Sequence, residues 1–392
     1  MKVGIVTYAL NIGGVERVIL NLYQGLERAG YEPTVFEVMK KGEWSRKFQS
    51  MGLRVKKVLP YFWQSKKAHA FRILTELEAF PILFLNDVQY VHSILGFLPP
   101  STRVFPIVHG NLESMLYNAS FNLTQIQNIL CVNSILAERL QKEYDVDEKM
   151  ICVVSNSLES VNDPPSFLNR RNKFVYLGRL NDFEKGIMDI PEIFKIISRY
   201  NPNLHVDIYG SGELEEEFRA KVSELNLQKI IHLKGQLSPD RVNQVLSEYK
   251  YLIFPSKFES GALVLKEAMI NGVVPFAYRL KGQTDVIITH GENGFMAEPG
   301  DVSEFAKNIL SNYSNSTKMF SISENAIRTI KDKFSMEAMM ATYLNIIEQG
   351  TKSDDPLRSS KLEVKILEEF PSIPIFLIRP LRKALRIIGL HQ

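Results

Sequence analysis

With 392 residues, 45% of them hydrophobic and 23% charged, the chain has the composition of a soluble globular protein with apolar side chains enough for more than one core. A formal net charge of +3 leaves no global electrostatic case for nucleic acid, and no run approaches the roughly 20 apolar residues a membrane-crossing helix requires. Cys131 and Cys152 lie in apolar runs, which suits buried thiols in a reducing cytoplasm better than a disulfide framework.

The N-terminal KVGIVTY reads as a buried strand, since it runs through Tyr8 into NIGG without a cleavage-like site. Gly13 and Gly14 then precede a helical pattern from Val15 to Ala29, and PTVFEV supplies the next strand. VFPIVHG, NILCVNS and ICVVSN continue the series with helical spacers, the rhythm of a doubly wound parallel sheet. After SVNDPPSFLNRRN, whose polar and proline-bearing stretch Pro164 to Asn172 reads as a hinge, a second series begins: KFVYLGRL, HVDIYGSG, IIHLKG, KYLIFPS and VVPFAY. The expected α/β fold is therefore two Rossmann-like domains, 1–168 and 169–350, facing a cleft. A linker, TKSDDPLRSSK, and a basic amphipathic tail occupy 351–392.

Open parallel sheets bind ligands beyond the carboxyl ends of their strands, where helix starts favour phosphate. Gly13 and Gly14 stand at one such place, and Gly210 opens another, GSGELE, in which Glu215 replaces the third glycine of a dinucleotide fingerprint. Arg179 ends a strand and Lys185 precedes Gly186 and a helix. Two cations at a strand mouth can neutralise a diphosphate, although a solvated loop with a Lys-Gly turn would read the same.

FESGALVLKEAM adds two carboxylates. With a helix start near Gly261 or Ala262, Glu259 lies in the loop and Glu267 on the second turn, roughly 8 Å apart along the axis. A nucleotide sugar laid across that helix start would fit, because a carboxylate accepts hydrogen bonds from paired hydroxyls. Two surface glutamates are the alternative.

This stretch resembles the E-x7-E signature of retaining GT-B glycosyltransferases, specifically glycosyltransferase family 4. The likeness extends to about residue 350: GGVER is similar to the family's N-terminal glycine loop, VHG with His109 to its sugar-side histidine, GRL and KG to its diphosphate clamp, and NGFMAEPGD to a motif after the E-x7-E helix. The resemblance implies a hexosyltransferase that moves a sugar from a nucleoside diphosphate to an acceptor hydroxyl with retention. The donor is expected to carry UDP rather than GDP, with no separate cofactor and no metal, since the sequence offers no Asp-x-Asp of the metal-dependent type and no clustered His or Cys ligands. Glu259 would contact the donor sugar, Glu267 the ribose, Arg179 and Lys185 the diphosphate, and the N–H groups of Ser260, Gly261, Ala262 and Leu263 its oxygens. His109 would hydrogen-bond the sugar near its anomeric carbon, Gly13 and Gly14 would leave room for phosphate and acceptor, and Gly210 would border the donor. A glycosidase-like pair would need carboxylates about 5 Å apart, closer than this spacing allows. The chain departs from the family where an aromatic residue and a glycine usually precede the helix, at Gly261 and Ala262. A GT-B epimerase or phosphorylase, or a catalytically silent partner subunit, shares most of these motifs.

Residues 40–72 are strongly basic and hold both tryptophans, Trp44 and Trp63, beside Lys56, Lys57, Lys66 and Lys67. The tail adds Arg379, Arg382 and Arg386 along one side of an apolar helix pattern. Basic residues mixed with aromatics suit an anionic membrane surface, so peripheral attachment to the inner face of the cell membrane is expected. A glycan or lipid-linked acceptor from surface polysaccharide or lipopolysaccharide assembly follows. A solvated sheet edge and a packed terminal helix are the alternative.

Overall fold

The computed structural model describes residues 1–11, 13–158 and 164–349. The linker and tail expected at 351–392, with Arg379, Arg382 and Arg386, lie outside the described residues.

Two compact units divide the described residues: Met1–Ser155 with 340–349, and Asn156–Met339. The expected boundary at 168/169 therefore shifts to the end of the first sheet. Residues 164–172, expected as the hinge, pack into the second unit: Phe167 is buried in its core and the Arg170 guanidinium donates to the carbonyls of Asn271 (2.5 Å) and Pro165 (2.6 Å).

The first unit is built on seven strands: β1 (Lys2–Thr7), β2 (Glu32–Glu37), β3 (Val55–Lys57), β4 (Ile82–Asn86), β5 (Arg103–Val108), β6 (Ile129–Cys131) and β7 (Ile151–Val153). Their order is β3-β2-β1-β4-β5-β6-β7, every pairing parallel. β1 and β4 read as near-continuous apolar runs because a parallel sheet with helices on both faces leaves neither face to water. The second unit holds β8 (Arg171–Leu177), β9 (Val206–Tyr209), β10 (Ile231–Gly235), β11 (Tyr249–Phe254), β12 (Val274–Tyr278) and β13 (Phe295–Ala297), in the order β10-β9-β8-β11-β12-β13. Alternation along its strands sends Phe174, Tyr176 and Ile253 into one apolar cluster and Val175, Leu252 and Phe254 into the other.

Strand order reverses between β1 and β4 in the first sheet and between β8 and β11 in the second. Loops leaving two such strands diverge to opposite faces and open a crevice, which is where open α/β sheets bind ligands. The loop after β1 is shaped by a buried carboxylate. Glu37, fully buried at the end of β2, accepts from Leu10 N (2.9 Å), Gly42 N (2.9 Å) and Ser45 Oγ (2.6 Å). Gly42 is required beside it, since a Cβ there would stand 1.9 Å from the Leu10 carbonyl oxygen.

Candidate active site

In the second unit the residues singled out by sequence gather around the ends of β8 and β11. After β8 the chain folds back on itself through Asn181, whose Oδ1 accepts from Lys185 N (3.1 Å). Gly186 then takes a left-handed φ of +58°, and a Cβ at this position would lie 2.1 Å from the Pro255 carbonyl oxygen. Only a glycine lets the 181–186 loop rest against the segment after β11, where Lys257 N and Phe258 N both donate to the Glu184 carbonyl (2.8 and 3.1 Å). This contact delivers Lys185 Nζ to Glu259 Oε1 at 2.5 Å, in a nearly enclosed ion pair. Gly186→Ala is therefore expected to cost about 2–3 kcal/mol through strain and overlap. Turnover should fall with it although no functional group is removed; a variant as active as the wild type, with an unchanged melting temperature, would refute this account of the turn.

Arg179 is not part of that pair. Its exposed guanidinium bonds the Glu184 carboxylate, and its carbonyl accepts from the Tyr176 hydroxyl (2.7 Å). Burial pushes the Tyr176 hydroxyl well above the usual phenol range, with the Glu259 charge adding to the shift and Arg179 opposing it. At Gly210, expected to border the donor, φ is +147° and a Cβ would stand 1.8 Å from the Gly178 carbonyl oxygen, so the loop packs there only as glycine.

Helix Leu263–Ile270 follows Glu259. Its cap is Ala262, held at φ 44°, ψ 44°, a left-handed conformation in which a methyl is strained and which glycine adopts freely. The departure noted in the sequence thus falls on the one residue of the helix start whose backbone favours the family's glycine. Ala262 also has no side-chain acceptor with which to cap the helix. Glu259 and Glu267 are both buried, 7% and 5% exposed, which removes the reading of two surface carboxylates. Glu259 N donates to Gln283 Oε1 (2.7 Å), a partner that lies far along the chain and that no motif revealed. Lys266, beside Glu267, is buried as well. Its Nζ donates to the Asn156 carbonyl (2.9 Å) and lies 4.5 Å from the centre of the Phe334 ring, and burial lowers its pKa to about 7.

In the first unit His109 follows β5 and its Nε2 lies 2.7 Å from Asn86 Oδ1 at the end of β4. The Asn86 amide donates to the Val6 carbonyl (3.1 Å), which turns its oxygen to the ring and makes Nε2 the protonated nitrogen. Burial lowers the His109 pKa to about 4, so the imidazole is neutral at physiological pH. Asn86 was missed in the sequence because its role depends on β4 lying beside β5. At the start of helix Gly14–Arg28, Glu16 accepts from Asn11 N (2.8 Å), and its Oε2 would lie 2.9 Å from a Cβ on Gly13. The Glu16 carboxyl thus stands beside the Gly13–Gly14 step, with its pKa raised by burial. Also in the first unit, a cavity of about 300 Å³ opens between Tyr8, Lys66, Asp87, Gln89, Ser114 and Asn118. Asn118 Nδ2 donates to Asp87 Oδ1 (3.1 Å), and burial raises the Asp87 pKa.

The basic segment does not present one face. Trp44, expected at the membrane, is only 7% exposed: it packs on Phe48 and is covered by Lys47 Nζ at 4.6 Å, because helix Ser45–Ser50 folds it inward. Lys56 is ion-paired with Glu76, whereas Trp63, Lys57 and Lys67 are exposed. Among the described residues no helix is long and apolar enough to cross a membrane.

A family model of Glycosyltransferase Family 4 matches residues 12–159, and one of Glycosyl transferases group 1 matches residues 162–329. The chain is similar to the poly(ribitol-phosphate) alpha-N-acetylglucosaminyltransferase of Staphylococcus aureus (strain COL), 24% identical over 226 residues that make up 56% of this chain and 45% of the relative. The chain thus matches less than half the length of that relative. A glycosyltransferase of Haemophilus influenzae is 21% identical over 87% of this chain and 98% of its own length. Among solved structures, S. aureus TarM in complex with fondaparinux, alpha-GlcNAc-glycerol and UDP superposes with a TM-score of 0.75 at 14% identity, covering 88% of this chain and 99% of that one.

Proposed function

We propose, from the premise that the chain belongs to the GT-B glycosyltransferases joining a family 4 domain to a group 1 domain, that it is a retaining hexosyltransferase. Its donor is a nucleoside diphosphate sugar, UDP in preference to GDP, and its acceptor a hydroxyl of a lipid-linked or polymeric glycan. The observation that carries the reading is the Lys185–Glu259 pair set before helix Leu263–Ile270, with Glu267 buried on the second turn. Lys185, the arginine at 179 and the first amides of the helix meet the diphosphate, Glu259 the sugar and Glu267 the ribose hydroxyls. As the bond from the anomeric carbon to the phosphate oxygen breaks, charge grows on the diphosphate, so these groups stabilise the transition state more than the ground state without a resident metal. The acceptor oxygen forms its new bond on the same face, and the departing phosphate takes its proton. Neutral His109, with Nε2–H committed to Asn86, keeps Nδ1 as an acceptor for a sugar hydroxyl. The likeness to a structure solved with UDP supports the uridine choice.

Purified protein is to be incubated with UDP-, GDP- and ADP-sugars together with glycan and extracted lipid acceptors, following nucleotide release and the anomer formed. Release that depends on acceptor, with retained configuration, is the expected result; acceptor-independent release would favour an epimerase or hydrolase. Glu267→Ala should raise the donor KM roughly 30- to 150-fold, the loss of about 2–3 kcal/mol of charge-assisted hydrogen bonds. Unchanged donor affinity in that variant would remove the ribose assignment.

A further inference from the structure

β3 ends at Lys57, and the chain then makes a turn before helix Lys66–Leu77 that displays three consecutive aromatic residues. Tyr61, Phe62 and Trp63 are 51%, 69% and 58% exposed, an unusual concentration of apolar surface for one short loop. The display is ordered by contacts of its own. The Tyr61 and Trp63 rings stack 5.1 Å apart and nearly parallel, and Phe62 meets Trp63 edge-on at 4.6 Å. Gln64 closes the turn in both directions, its N–H donating to the Tyr61 carbonyl (3.0 Å) and its Oε1 accepting from Tyr61 N (3.2 Å). The helix behind holds the turn in place: His69 Nε2 contacts the Val58 carbonyl (2.6 Å), and Arg72 bonds the Leu59 carbonyl while its guanidinium lies 4.1 Å over the Tyr61 ring.

Charge and position say what the display meets. Lys57 and Lys67 flank it, exposed and without an ion pair among the described residues. Rings that carry a polar edge, ringed by cations, fit the boundary between headgroups and acyl chains of an anionic bilayer. Lys66, first residue of the helix that follows the turn, lines the 300 Å³ cavity, so the turn leads from the carboxyl end of β3 directly into a residue of that cavity's wall.

We infer that residues 57–67 form a membrane-docking wedge, in which Tyr61, Phe62 and Trp63 enter an anionic bilayer, Lys57 and Lys67 meet its headgroups, and the adjoining cavity receives the lipid-linked acceptor. The inference rests on the acceptor class proposed above. It also replaces the diffuse basic surface expected from sequence by one loop, from which Trp44 is excluded.

The test uses the full chain with vesicles of phosphatidylglycerol and phosphatidylcholine, or of phosphatidylcholine alone, read by co-sedimentation and tryptophan emission. Since Trp44 is buried, an emission shift reports Trp63. Anionic vesicles should shift emission to shorter wavelength, the shift should vanish in Trp63→Phe, and salt should release the protein. Phe62→Ser with Trp63→Ser, or Lys57→Glu with Lys67→Glu, should each weaken vesicle binding by roughly tenfold or more while leaving donor turnover on a soluble acceptor unchanged. Undiminished binding in the aromatic variant would assign the contact to another segment and overturn the wedge. So would binding of soluble polyphosphate without any binding of vesicles, which would assign the lysines to a polyanionic glycan. A protein that turns over donor yet ignores vesicles sinks the wedge alone, and one that binds vesicles but turns over no donor sinks the functional reading alone.

Discussion

Lys185→Met is expected to lower donor turnover by roughly 10²–10³-fold, the range seen when one preorganised partner of a developing oxyanion is removed. The same change should cost about 3 kcal/mol of stability, because the Glu259 side chain, 8% exposed, is left as a buried charge without its cation. The two effects have different causes and can be separated. Adding Glu259→Gln to Lys185→Met removes the stranded charge, so the double variant should recover most of the lost stability and none of the lost turnover. Single-turnover nucleotide release and denaturant unfolding of the four proteins complete the cycle. Were turnover to return with stability in the double variant, the pair would be a structural cross-link between the loops after β8 and β11, and the diphosphate would have to be held by other groups.

Much of this site was legible because its chemistry is local in sequence. Glu259 and Glu267 share a strand end and the helix after it, and the Lys-Gly step at 185–186 announces a turn wherever it occurs. What escaped depends on which strands are neighbours. Asn86 can orient His109 only because β4 lies beside β5, and Gln283 reaches the Glu259 amide from beyond β12. β3, β4 and β13 escaped too: β3 and β13 have three residues each, two of those in β3 being exposed lysines, while β4 is a fully buried, largely apolar run, Ile82–Asn86, that the strand series passed over. Composition also misled in both directions. The polar look of residues 164–172 hid Phe167 and Arg170, which anchor the second unit, and two tryptophans amid lysines suggested one surface where helix Ser45–Ser50 buries one of them. Burial of this kind is decided by packing partners that sequence spacing does not name.

Lys266 presents the opposite case, a residue whose sequence position looked ordinary and whose burial carries a large expected effect. Its native pKa of about 7 lies below the roughly 10.4 of an unfolded lysine, so the unfolded chain binds the extra proton between those values. Stability contributed by this site must therefore rise as pH climbs from about 7 towards 10, and the full desolvation penalty, at most about 4–5 kcal/mol, is present below pH 7. The Asn156 carbonyl and the Phe334 ring both favour the charged form and reduce it. Lys266→Met removes the penalty but leaves the Asn156 carbonyl without its donor, a loss of about 1–3 kcal/mol. A net gain near 2 kcal/mol is expected at pH 6, shrinking to nothing or reversing by pH 10, and urea unfolding of both proteins across that range measures it. A wild-type-to-variant difference that stays constant with pH would show that burial leaves the amine's pKa at its unfolded value. The reason to keep so costly a group lies in what it joins. Asn156 is where the chain enters the second unit, Phe334 is one of the last residues before the helix Met336–Gln349 leads out of it, and the Leu158 amide donates to the Phe334 carbonyl (3.1 Å). Lys266 thus fastens both ends of the unit to the helix that bears Glu267, and the stabilised variant should hold that helix less firmly, with a weakened grip on donor in place of the lost strain.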